Sequence, residues 1–372
     1  VSRSHWIRAA GTAVTLLSLC VGCGGSSSTS STSSAGPTVT IVGDCIDSSG
    51  VSIPGYWANA TWTALSPATA GLSAVANPMT VSGSDTFIGG QCTNTSGVLM
   101  PGYWKNGVWN PMSVVSGTQK SKVSCIAVAG THVYAAGSCR GDGSTESTSE
   151  RPVYWVDGTP SDLSYSGTTT NCSATSIAIS GSDIYIAGTD HNSTSTINKP
   201  GYWLNGTWND LETLDNDQGA EIHALVLSGS DVYVAGQRMG SDGIQVAGYW
   251  KNTTWVPMTA LAAGYPSVAQ CLLLSGRDVY LGGYCQDSAG AYTPGYWLNG
   301  TWTSLPATAV SDGALVYALA LYEGHLYAVG YRPDSSSNTL PGYWLDGTWT
   351  ALDLATGTSM GRAMSINISS AG

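Results

Sequence analysis

The side chains that could carry chemistry are few in this chain and far apart. Five histidines occur, at positions 5, 132, 191, 223 and 325. His191 follows Asp190 directly, and His223 lies two residues after Glu221, so each imidazole has a carboxylate beside it. Those are ligand types for a transition metal if the two segments meet in space; unrelated polar loop residues are the competing reading. Arg140, Arg238 and Arg332 each fall just after a recurring glycine. An arginine cluster of that kind would bind a carboxylate through paired N–H donors. Asp215-Asn216-Asp217-Gln218-Gly219 has carboxylates at i and i+2, as calcium loops do, but lacks the other ligands and reads as a solvated loop. Arg140-Gly141-Asp142 spells an integrin-type tripeptide and reads as chance. None of these makes a complete catalytic set, so no catalytic residue, metal or cofactor is assigned.

Composition narrows the partners. The 372 residues include 13 Lys+Arg against 24 Asp+Glu, a net charge of −11, and only 10% are charged. A chain so poor in cations cannot neutralise a phosphate backbone, which argues against nucleic acid. With 42% hydrophobic residues it can bury a large core. Its 47 Gly, 19 Tyr and 14 Trp beside a single Phe point to internal repetition.

The first residues read as an address. Arg3 and Arg8 precede an uncharged apolar stretch from Ala9 to Leu19, a signal-peptide pattern too short to anchor as a span. Leu19-Cys20-Val21-Gly22-Cys23 resembles a bacterial lipoprotein processing box, with Cys23 as the lipidated residue because a small glycine precedes it. Residues 1–22 are then a signal, and residues 23–37 a Ser/Thr/Gly-rich tether unable to bury a core. Val1 fits an alternative bacterial start codon. The resemblance implies an exported, outer-membrane or cell-surface lipoprotein that meets the membrane only through its lipid. Removing residues 1–22 takes two arginines and no acid, leaving 11 Lys+Arg against 24 Asp+Glu, net −13.

What must position any site is a repeated unit. Tyr-Trp recurs with its Trp at 57, 104, 155, 203, 250, 297 and 344, at spacings of 47, 51, 48, 47, 47 and 47. A glycine closing an apolar strand recurs in the same rhythm at 43, 90, 137, 188, 236, 283 and 330. Each unit reads as four short strands. In the sixth, Ala269–Leu274 and Val279–Gly283 flank a tight turn, a polar loop runs from Tyr284 to Thr293, and Asn299-Gly300 joins two further strands. Asn-Gly supplies the two positive φ angles that a two-residue hairpin needs. That turn pairs Trp297 with Trp302 across the strands, and the same pair recurs in every unit but the third. There Pro160 replaces the second Trp, which a strand tolerates only at an edge, so the fourth strand must be outermost.

Such units predict an all-β, seven-bladed β-propeller of four-stranded antiparallel blades over residues 38–372, with a stacked solenoid as the alternative. The ends favour the ring, because residues 38–43 align with a second strand and residues 362–372 with a first. The C-terminal strand would complete the N-terminal blade. Val279-Tyr280-Leu281-Gly282-Gly283, with Tyr296 and Trp302 after it, resembles the kelch repeat, and the units are also similar to secreted bacterial proteins with tandem Tyr-Trp-x-Asn-Gly repeats. Those resemblances imply fold more than function.

In a propeller, the loops joining second to third strands share a face with those joining blades, and function usually sits there. On that face the sequence offers Asp190, His191, Glu221 and His223 of the fourth and fifth units and the three arginines. His132 and His325 fall in tight turns of the opposite face. The expectation is a surface-anchored binding or scaffolding module for a protein or glycan. The alternative is a secreted carbohydrate-active or oxidative enzyme, possibly metal-dependent. A copper-radical oxidase's constellation and a sialidase's Ser-x-Asp-x-Gly-x-x-Trp turns are both missing. Cys125/Cys139 and Cys271/Cys285 occupy equal positions, each pair fourteen apart, which suggests disulfides within a blade. A plain two-residue turn leaves each pair about three residues out of register, so bonding needs a bulge. Cys92 with Cys125 and Cys139 with Cys172 is the competing scheme, and Cys45 is left unpaired in either.

Overall fold

The computed structural model of the chain describes residues 36–115, 118–141, 150–164, 172–191, 197–213, 219–307 and 313–370. Residues 1–22, expected as a signal, Cys23 and the expected tether up to residue 35 lie outside the described residues. So do Asp142 and residues 215–218. Among the described residues there is no helix, and the strands assemble as four-stranded antiparallel blades. Five sheets have four strands each. The sixth has eight, two such blades joined by one parallel pair, Leu99 with Lys120. Thr358–Ser369 pairs with Thr38–Asp47, which carries Ser52–Ala58 and then Thr61–Ala64 as its edge. Each blade is named below by its fully buried tryptophan.

The hairpin at the outer edge follows from Asn-Gly. Asn299 and Gly300 have φ of 50° and 88°, and Trp297 pairs with Trp302 in the register that such a turn dictates. The turn residue also reaches back to the second strand. Asn106, Asn205, Asn252 and Asn299 accept through Oδ1 from the backbone N–H of Thr86, Ile184, Val232 and Val279. Their amides donate to Asp85, Asp183, Asp231 and Asp278. In two blades the turn residue is instead Asp157 or Asp346, and its partner is His132 or His325, each with Nδ1 2.6 Å from the carboxylate. Exchanging Asn for Asp at one end and Asp for His at the other keeps donor facing acceptor. Both histidines are thereby accounted for as parts of the turn.

The recurring glycine does not close its strand. Thr38–Asp47 runs on past Gly43, and Asp278–Gln286 past Gly283. In every blade the register between first and second strands shifts beside this glycine, marking a bulge. The bulge drives a first-strand carbonyl into the space that a Cβ would fill, as Arg362 does at Gly43 and Glu221 at Gly236. Glycine is required there by contact, and the residues after it sit on a strand.

A second glycine explains the outer tryptophan. At Gly55, Gly102, Gly201, Gly248, Gly295 and Gly342, the second indole of the blade lies where a Cβ would be. The Trp155 blade has Pro160 opposite its tryptophan, on the edge strand Thr159–Asp162 as expected, and Val153 at the place of that glycine. Losing the indole vacates the space that valine occupies. Pro160→Trp and Val153→Gly should therefore be coupled. In a urea-denaturation cycle the double variant should be more stable than the sum of the singles by about 1 kcal/mol or more, and additive singles would show that the two positions do not compete for one space.

Candidate functional site

The bulges organise the chemistry at the loop end of the blades. Each pushes one extra first-strand residue out of the ladder: Asn77, Ser124, Thr175, His223, Gln270, Tyr317 and Met364. All but the last can hydrogen-bond, in strands that are otherwise largely apolar. Gln270, between His223 and Tyr317 in blade order, has its Oε1 buried with no hydrogen-bond partner. Aligning the seven repeats column by column would have exposed this polar position.

His223 heads a short relay. Its Nε2 donates to Gln237 Oε1 at 2.9 Å, and Gln237 Nε2 donates to Glu221 Oε2 at 2.7 Å. A carboxylate only accepts, so the amide must turn its NH2 that way and its carbonyl to the imidazole. Burial pushes the His223 pKa down, outweighing the Glu221 carboxylate and the Gln237 bond, which favour the cation. Glu221 and Gln237 line a cavity of about 40 Å³ with Asn198, Gly219, Ala220, Met239 and Gln245. Asn198 is the strand partner of His191, so the blades of Trp203 and Trp250 do meet here. The side chain of His191 lies outside the described residues. Asp190 points elsewhere: it is buried, and the Cys172 thiol donates to it at 2.9 Å.

The three arginines do not converge. Arg238 and Arg332 lie two residues after their glycines, and each packs its guanidinium over the outer indole of its own blade, 5.3 Å from Trp255 and 4.7 Å from Trp349. Arg140 lies three residues after its glycine, hence on the other face of its strand. It belongs to a network in which Lys122, Ser138 and Arg140 all approach Glu150. Burial alone would raise the Glu150 pKa, but Lys122, Ser138 and Arg140 hold it below the ordinary value.

The richest convergence involves residues that sequence reasoning missed. Arg362 donates from Nε and Nη2 to the two oxygens of Asp44, at 3.1 and 2.8 Å, and the Ser52 hydroxyl donates to the same carboxylate at 2.7 Å. Asp44 is 1% exposed, whereas the Arg362 side chain keeps 37%. Tyr317 and Tyr331 pack beside this pair, their rings 5.8 Å apart, and join Leu315, Met364 and Tyr284 in one cluster. Burial raises the pKa of all three tyrosines, so they act as neutral hydroxyl groups. Tyr292 meets Tyr284 edge to face at 5.1 Å and is 40% exposed.

The described cysteines are buried free thiols, contrary to the expected pairings. The anticipated bulge is present but lies on the wrong strand to help. Cys285 pairs with Ser267, four positions from Cys271, and Cys139 with Ser121, four from Cys125. The extra first-strand residue widens the offset from three to four. Burial raises the thiol pKa to about 12 at both Cys271 and Cys285, which suppresses the nucleophilic thiolate. Among the described residues no group of three or more His, Cys, Asp or Glu side chains gathers as metal ligands.

No family model matches the chain, and no curated protein matches it. Similar solved structures include the fungal lectin of Aleuria aurantia, described as a six-bladed β-propeller, with a TM-score of 0.44 at 11% identity over 76% of this chain and 95% of that one. An acylaminoacyl peptidase from Pyrococcus horikoshii gives 0.50 at 11% identity, covering 85% of this chain. An acylaminoacyl peptidase bound to a chloromethyl ketone gives 0.49 over 86%. The chain spans about half the length of these peptidases, 50% and 52%. At such identity the likeness concerns fold alone.

The buried imidazole makes stability depend on pH. Its folded pKa lies below the ordinary 6.5, so near and below that value the unfolded chain binds a proton that the folded chain refuses. The contribution is full above about 6.5 and is lost as pH falls from there towards the folded value. Asp85, Asp157, Asp231 and Asp346, whose pKa values are lowered by hydrogen-bonded partners, lose stability only below about 3.8. Thermal unfolding followed from pH 7.5 to 5 should show a falling midpoint, and His223→Gln should flatten that slope; an equal slope in the variant would remove His223 as its cause.

Proposed function

We propose that the chain is an exported, surface-anchored binding module whose loop face takes a protein or glycan ligand. The observation that carries this reading is the gathering of Glu221, Gln237, Tyr284, Tyr331, Arg362 and Asp44 at one end of the blades. The opposite end is occupied by the Asn- and Asp-capped turns, which consume their own polar groups. Hydroxyls, a carboxylate and a guanidinium supported from behind are groups that bind and orient a partner.

The blades number seven in this reading and close into a ring, with the strand Thr358–Ser369 completing the blade of Trp57. In support, Trp57 Nε1 donates to the carbonyl of Asp353, as every other buried tryptophan does to the segment before its own blade. The repeat is kelch-like. Residues 1–22 act as a lipoprotein signal, Cys23 carries the lipid, and residues 23–37 tether the propeller to a bacterial outer membrane or cell surface.

Two measurements test the reading. On an array of extracellular proteins and polysaccharides, Glu221→Ala/Tyr292→Ala should weaken the dominant signal about tenfold or more, while Asp183→Ala/Asp278→Ala on the opposite face leaves it unchanged. Equal losses, or no loss in the first variant, would overturn the loop-face assignment. Labelled palmitate should enter the wild type and not Cys23→Ala; label retained by that variant, or absent from both, would overturn the anchor.

A further inference from the structure

The loop end of the Trp250, Trp297, Trp344 and Trp57 blades carries a band of one chemical character. Glu221 stands at one extremity, its side chain 51% exposed and held by Gln237. Arg362 stands at the other, one edge locked by buried Asp44 and the rest at the surface. Between them lie Tyr284, Tyr292 and Tyr331. Tyr284 touches the cluster containing Tyr331 and feels the charge of Glu221, which ties the two halves together.

Charge excludes several ligands. A uronate or other polyanion would face Glu221 and a chain of net charge −11, and Arg362, the cation beside the tyrosines, is already paired with Asp44. A polycation would find Glu221, but Asp44 is spent on Arg362, and Asp47, Asp242, Asp287 and Asp334 in the loops of these blades each accept from backbone N–H groups of their own turns. A stable protein partner needs an apolar core to its interface, yet the large exposed apolar residues among those described, Val108, Ile197, Leu261 and Tyr292, come from different strands and loops and form no shared cluster. What remains is a ligand rich in hydroxyls with apolar C–H faces. Aromatic rings offer flat apolar area with a polar tip, and a carboxylate and a guanidinium edge respectively accept from and donate to hydroxyls.

We propose that this band binds a neutral oligosaccharide, with sugar rings over Tyr292 and Tyr284 and ring hydroxyls bonded to Glu221 and to the outer edge of Arg362. The inference rests on the loop-face reading above and commits it to one ligand class. Because the polar groups lie at both extremities with the rings between, several sugar units rather than one fill it.

The test is calorimetric titration of the full chain with neutral hexaoses of glucose, mannose, galactose and N-acetylglucosamine, and with hexagalacturonate. At least one neutral hexaose should bind, with affinity little changed between 50 and 500 mM salt (a range set by the screening of exposed charges). Tyr292→Ala and Glu221→Gln should each weaken it about tenfold, and Tyr292→Phe, which keeps the ring, should bind like the wild type. Asp183→Ala on the other face should leave binding unchanged. Tyr292 and Glu221 are exposed, so the variants should fold, which circular dichroism checks. Preference for hexagalacturonate, wild-type binding by Tyr292→Ala, or no neutral hexaose bound would each overturn the proposal. If no neutral hexaose binds but the array signal still depends on Glu221 and Tyr292, this inference falls and the loop-face reading survives; if that dependence is also missing, both fall.

Discussion

The indole N–H buried at the centre of each blade finds an acceptor in the segment before that blade, and this pairing organises the whole chain. Each tryptophan at the centre of a blade is fully buried, so leaving its N–H unpaired would cost about 1–3 kcal/mol. None is unpaired. Trp104 donates to Ser66, Trp155 to Ser113, Trp203 to Ser164, Trp250 to Glu212, Trp297 to Thr259, Trp344 to Pro306 and Trp57 to Asp353. The acceptor always follows a buried Leu or Met whose own N–H is tied to a third-strand carbonyl, as Leu65 is to Pro54 and Met112 to Pro101. The leucine or methionine pins the connecting segment, and the pinned segment presents its next carbonyl to the following blade. Blade order and blade spacing are thus set by hydrogen bonds made in the core.

That arrangement frees the loop end. With the outer edge held by the indoles and the opposite end by capped turns, the first strand can bulge beside its glycine without loosening the sheet. The bulge residue and its neighbours across the second strand are then held on rigid ladders, where small changes of residue alter chemistry and leave the framework alone. His223 and Gln237 in one blade correspond to Tyr317 and Tyr331 in another, and to Ser124 and Ser138 in a third. One backbone geometry carries an imidazole–amide contact, a pair of phenols, or two hydroxyls.

The architecture was largely legible in the sequence because it is written many times over. The Tyr-Trp spacing gave the unit, Asn-Gly gave the hairpin with Trp297 opposite Trp302, and Pro160 gave the edge. The site was less legible, because it depends on what differs between repeats. Glycine was read as the end of a strand, which shifted Arg238, Arg332 and Asp190 into imagined loops, when each is packed within a blade. Counting from that glycine would have separated Arg140, at the third position, from the other two. Asp44 and Arg362 lie 318 residues apart, and only strand pairing between the two ends of the chain reveals them as partners.

The Asn/Asp exchange in the turns has a consequence for how such a chain can change. Asp85 and Asn106 are matched, and so are His325 and Asp346, the members of each pair lying 21 positions apart. A crossover between two repeats that fell inside that interval would set Asp against Asp, or His against Asn, at an exposed turn. The outer indole of the fourth strand is matched in turn to the third-strand glycine, as Trp109 is to Gly102, so recombination that respects both kinds of pair must break in the connecting segments or along the first strand. The inheritable module is therefore a second, third and fourth strand together, and the inner strand can be traded separately.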